Sequence, residues 1–138
     1  MKMLFQDDVD QEEELIRLEA SQLSDKERKK YFSLVKQRIK DPDTYAVLNW
    51  FFVTGLHHFY LNNWVNGGIN LMVFLIGAIL ILAGIELFGI LMILAIFIIE
   101  LYALFRSQII VKNYNNQVMR QAIIEVLNDD KSVGQKTP

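Results

Sequence analysis

Residues 44–85 read TYAVLNWFFVTGLHHFYLNNWVNGGINLMVFLIGAILILAGI and contain no Asp, Glu, Lys or Arg. A second apolar run, residues 87–111, follows the single Glu86 and is broken only by Glu100 and Arg106. An α-helix rises about 1.5 Å per residue, so about 20 apolar residues cross a hydrocarbon layer about 30 Å thick. Two such runs are more than a soluble core of a 138-residue chain can hide. The 52% hydrophobic average is ordinary, and the segregation of apolar from charged residues carries the signal. The reading is an all-α integral membrane protein. It has a helical hairpin of two transmembrane helices, preceded by a short interfacial or re-entrant helix, with amphipathic cytoplasmic helices at both ends. The corresponding divisions are 1–43, a cytoplasmic N-terminal arm; 44–111, the membrane domain; and 112–138, a cytoplasmic C-terminal helix and disordered tail.

Within the uncharged block, residues 45–60 (YAVLNWFFVTGLHHFY) crowd aromatics that favour the headgroup level, and Gly55 followed by two His breaks the helix early. That segment is short for a full span, so it is expected to enter partway or lie in the interface and then turn. Asn62, Asn63, Asn66, Gly67 and Gly68 read as a polar hinge, and 69–83 as the first full span. Gly84, Ile85 and Glu86 make a tight turn, and 87–105 returns. Gly77 and Gly84, with Ala78 and Ala83 nearby, offer a small-residue face for close helix approach.

Outward from the block, Ser24, Asp25, Lys26 and Glu27 have capping-box spacing, so a helix starts there and stops before Pro42. Its apolar residues (Tyr31, Phe32, Leu34, Val35, Ile39) oppose a basic surface that includes Lys29, Lys30, Lys36, Arg38 and Lys40. Two readings stand: a helix packed on its own protein, or one lying on anionic headgroups, where those five residues make the lipid contacts. A calmodulin-type target is a weaker third. Residues 1–23 give a weak helical pattern, with Leu15, Leu18 and Ile16 to one side of an acidic run; this reads as a solvated, partly frayed helix. After Arg106, Met119, Ala122, Ile123, Val126 and Leu127 share one face of a juxtamembrane helix, and 129–138 reads as a disordered tail. With the two ends this short, no second globular core is expected.

The net charge of −2 argues against nucleic-acid binding, and zero Cys excludes disulfides, thiolate metal sites and a cysteine nucleophile. The acidic start (Asp7, Asp8, Asp10, Glu12, Glu13, Glu14) lacks the form of a signal peptide, so the first apolar block is expected to act as an uncleaved insertion signal. Lys36, Arg38 and Lys40 precede the block, and Arg106, Lys112 and Arg120 follow it, while the intervening turn carries Glu86. Both termini are therefore expected in the cytoplasm.

Glu100 lies about 20 Å along the returning helix, where an unpaired carboxylate is costly and finds a partner. His57, His58 and Arg106 are the alternatives. His57 and His58 by themselves supply only part of a metal site, so no metal or cofactor is expected, and no nucleophile motif or phosphate loop suggests an enzyme. A structural polar cluster of His57, His58 and Glu100 is preferred over a proton or ion path.

GLHHFYL at 55–61 resembles the G-x-H-R-F-Y-L-G signature of the two-transmembrane (TM2) domain family, through Gly55, His57, Phe59, Tyr60 and Leu61. AVLNWFF from Ala46, Ile99-Glu100-Leu101 in the last helix, and the Asn-rich exit at 113–117 extend the likeness. The family's Arg is His58 here, its trailing Gly is Asn62 and its acidic residue is Glu100. The resemblance implies a small membrane protein with paired helices and no enzymatic reaction, and it favours His57 as the partner of Glu100. The functional expectation is an accessory or scaffolding protein in the lipid bilayer that binds a larger membrane partner or self-associates. The alternative is a small channel or transporter subunit, with Glu100 and the two His in a polar route.

Overall fold

The structure is a computed structural model and describes residues 4–50 and 55–134. Every regular element among them is helical: α1 (Gln6–Ser21), α2 (Asp25–Arg38), α3 (Pro42–Trp50), α4 (Leu56–Tyr60), α5 (Trp64–Leu82), α6 (Glu86–Phe105) and α7 (Ser107–Gly134). They divide into two compact units, Met1–Lys40 with Lys112–Pro138, and Asp41–Val111.

In the first unit the two ends of the chain share one core. Ile16, Ala20 and Leu23 meet Tyr31 of α2 and Ala122, Ile123 and Val126 of α7, with Leu34, Val35 and Met119 packed against them. The expectation of no second core is therefore corrected, and so is that of a frayed first arm. Leu15 and Leu18, placed on its apolar side, are exposed, whereas Val9, Ile16 and Ala20 are buried. Charge explains why so acidic a helix is held. Lys112 Nζ lies 2.6 Å from Asp10 Oδ1 and 2.7 Å from Glu13 Oε2, and Arg120 reaches Glu12. The Ser24–Glu27 capping box forms as expected, and Arg28 donates to the carbonyls of Ser21 and Leu23, which close α1. Asn115 pairs with both backbone groups of Lys40 at 2.8 Å, and Asn116 donates to the Val9 carbonyl. The expected disordered tail is corrected in part: α7 continues to Gly134, and 135–138 lie outside the described residues.

In the second unit, α5 and α6 are long and apolar enough to cross a membrane. Their large side chains point outward; Leu82 is 88% exposed and Phe105 82%. A core helix of a soluble protein would hide such residues. The two helices touch where a Cβ on Gly89 would stand 2.5 Å from the Gly77 carbonyl oxygen, so neither side can carry a larger residue without separating the backbones. Gly84 occupies the turn as expected, with φ +81° and open space around it, and does not join the helix contact it was also expected to share. Its left-handed conformation suits glycine.

Helix α5 begins at Trp64, so Asn66, Gly67 and Gly68 belong to the helix and the expected hinge shrinks to Leu61, Asn62 and Asn63. Asn63 caps α5 by accepting from the Asn66 amide, and Asn62 takes φ 56°, a conformation that asparagine tolerates better than most residues. Trp50 ends α3; the continuation expected through Phe51, Phe52, Val53 and Thr54 lies outside the described residues.

Candidate functional site

The site is built where α3, α4, α5 and α6 converge. Gly55, left-handed at φ 61°, starts α4 with its Cα so close to α5 that a Cβ would lie 3.3 Å from the Gly67 carbonyl oxygen and from Asn70 Cβ. Four residues on, the Phe59 ring covers Gly67, where a Cβ would meet it at 2.7 Å. These two contacts fix the short helix against α5 and aim the His pair at α6. Tyr60 Oη accepts from the Asp41 amide, which holds the far side of α4 to the start of α3.

His57 is fully buried and Glu100 is 2% exposed. His57 Nε2 lies 2.7 Å from Glu100 Oε2, and His58 Nε2 lies 3.4 Å from Oε1. The structure thus brings all three sequence-predicted residues together. Arg106, the other partner considered for Glu100, donates instead to Tyr102 Oη at 2.8 Å and stacks over that ring.

Two asparagines complete the arrangement, and sequence reasoning missed both. Asn70 Nδ2 donates to Glu100 Oε1 at 2.6 Å, and Asn49 Nδ2 donates to the Glu100 backbone carbonyl at 3.1 Å. Both are buried. Asn70 lies about 18 Å from the end of α5 and Glu100 about 21 Å from the start of α6, so two antiparallel helices bring them level. The available signal was this matched height. Tyr45 sets its ring edge against His57, at 5.2 Å between centroids and 81° between planes.

Not every polar atom here is satisfied. Both ring nitrogens of His57, Glu100 Oε2 and Asn49 Oδ1 are buried without a hydrogen-bond partner among the described residues. The 2.7 Å approach of His57 to Glu100 therefore lacks the alignment of a directed hydrogen bond. His57, His58 and Glu100 each offer one ligand atom, all within 4.8 Å of one another.

Comparison with known proteins returns no matching family model, curated protein or solved structure.

Proposed function

We propose that the chain is a small integral membrane protein of accessory or scaffolding type. In this reading α5 and α6 form a hairpin across the bilayer, α3 and α4 form an interfacial or re-entrant segment, and α1, α2 and α7 present a folded cytoplasmic unit to a larger membrane partner or a second copy. The observation that carries it is the outward-facing apolar surface of α5 and α6, which only lipid or another apolar surface can cover. The placement of Lys40, Arg106, Lys112 and Arg120 against Glu86 supports cytoplasmic termini. Lys30 and Arg38 pair with Asp129 and Glu125 of α7, which leaves Lys29 and Lys36 as the more available of the proposed headgroup contacts. The resemblance to two-transmembrane domain proteins agrees with this architecture, and no reaction is assigned.

Crosslinking in native membranes followed by mass spectrometry tests the role. The expected result is a defined membrane-protein partner or a self-crosslinked oligomer; a strictly monomeric, partnerless protein contradicts it.

A second reading, a channel or transporter subunit, draws on the polar cluster inside an otherwise apolar unit. The burial of His57 and Glu100 favours a sealed structural role over a wetted route. Reconstituted protein with no proton or ion flux, with or without Glu100→Gln, removes the channel reading.

A further inference from the structure

We infer that His57, His58 and Glu100 form a binding site for a divalent transition-metal ion of the Zn2+ type. Two imidazoles and a carboxylate are the donor set that suits such an ion and leave a fourth position open, whereas Ca2+ and Mg2+ take oxygen donors. Ligands held about 2.0–2.2 Å from one tetrahedral ion stand about 3.3–3.5 Å from each other. The 3.4 Å between His58 and Glu100 matches that spacing. The 2.7 Å between His57 and Glu100 is shorter, so these two must part slightly to admit an ion, and one ligand atom from each of the three residues lies within 4.8 Å of the others.

Convergence alone would not distinguish an ion site from a polar knot. The unpartnered atoms do. Both His57 nitrogens and Glu100 Oε2 are buried without hydrogen bonds among the described residues, although His57 and Glu100 are in contact. A directed His–carboxylate bond would satisfy two of these atoms, and the geometry does not make one. A cation between the rings and the carboxylate engages a nitrogen and an oxygen at once. It also balances the Glu100 charge in surroundings where an isolated charge is costly.

The neighbours match what such a ligand set requires. Asn70 fixes the carboxylate by donating to Oε1 and leaves Oε2 to face His57. Asn49 ties down the backbone of the same residue. Outer partners of this kind hold a ligand in its binding orientation. His58, partly exposed beside two buried ligands, provides the side from which an ion would enter.

The test uses the full chain in detergent micelles, purified with a tag that contains no histidine, stripped with chelator and exchanged against Zn2+ or Co2+. The expected result is one ion per chain and Co2+ absorption bands of a low-coordinate nitrogen–oxygen site. Asn70→Ala should weaken Zn2+ binding about 10–100-fold. His58→Ala and Glu100→Gln should abolish stoichiometric uptake, with helicity by circular dichroism reporting folding. If a variant fails to fold, the wild-type stoichiometry and Co2+ spectrum decide. Substoichiometric uptake by the wild type, or unchanged affinity in folded His58→Ala, overturns the inference. Neither outcome alters the crosslinking result expected for the scaffolding role.

Discussion

Asn70 Nδ2 donates to Glu100 Oε1 at 2.6 Å, a bond that joins α5 to α6 at the end remote from their turn, while Gly77 and Gly89 bring the same helices into backbone contact nearer to it. One carboxylate thus collects contacts from α4 and α5, and its backbone takes a bond from α3. Replacing Glu100 with Leu should leave the buried Asn70 without its acceptor and cost about 1–3 kcal/mol in chelator-treated protein. Glu100→Gln keeps an oxygen for Asn70 and should cost less. Unfolding titrations in SDS–detergent mixtures measure the difference; equal costs would remove the carboxylate from its structural role.

The glycines give a three-way contrast. Gly89→Ala places a methyl 2.5 Å from a backbone oxygen that cannot turn aside, so the helices must separate, at about 1–3 kcal/mol. Gly84→Ala meets no atom within 4 Å but forces alanine into the left-handed region, at about 1–2 kcal/mol. Gly68→Ala meets nothing and lies within α5, so it should be neutral or stabilising by up to about 1 kcal/mol. The same titration ranks them, and destabilisation by Gly68→Ala would contradict the packing described.

Much of this was legible in the chain and some was not, for physical reasons. Apolar length located α5 and α6 because the requirement to hide about 20 residues is local and additive. The Ser24–Glu27 cap and the turn at Gly55 are also local. The reach of His57 and His58 to Glu100 was inferable because a buried carboxylate needs a partner and few were on offer. Asn49 and Asn70 went unread because a single amide in an apolar helix gives no periodic signal, and its partner lies far along the chain. The shared core of α1, α2 and α7 was hidden for a related reason: the strongest apolar residues of α1, Leu15 and Leu18, face outward, and the helix is held by Ile16 and by pairing of its acids with Lys112 and Arg120.

That pairing sets a pH response. The hydrogen bonds from Lys112 hold the carboxyls of Asp10 and Glu13 below their ordinary range, and hydrogen bonds to the same two acids raise Lys112. Depressed carboxyls stabilise the folded unit above their unfolded values, near pH 4, and lose that contribution as pH falls through the lower folded values. The raised lysine contributes below about pH 10 and loses its contribution as pH rises through its folded value. Helicity of α1, followed by residue-resolved NMR, should therefore hold through neutral pH and weaken at both extremes. In Lys112→Met the carboxyls return toward their ordinary range and the acid-side loss should shrink; an unchanged acid limb would show that these pairs contribute nothing.

The core of the same unit makes a separate prediction. Ile16 is fully buried against α2 and α7, so Ile16→Ala should cost about 2–5 kcal/mol, while the exposed Leu15→Ala should cost little. Hydrogen exchange of α1 amides compares them, and equal effects would contradict the assignment of the buried face.

The central claim is that α5 and α6 cross the bilayer and return, and substituted-cysteine labelling tests it most directly because the chain has no native Cys to mask. Single variants Lys40→Cys, Glu86→Cys and Arg120→Cys are treated with a membrane-impermeant maleimide in intact cells and after permeabilisation. The account predicts that Glu86→Cys is labelled in intact cells, while Lys40→Cys and Arg120→Cys are labelled only once the membrane is opened. Labelling of Lys40→Cys but not Glu86→Cys would reverse the orientation, and identical labelling of all three in intact cells would contradict a membrane-crossing pair.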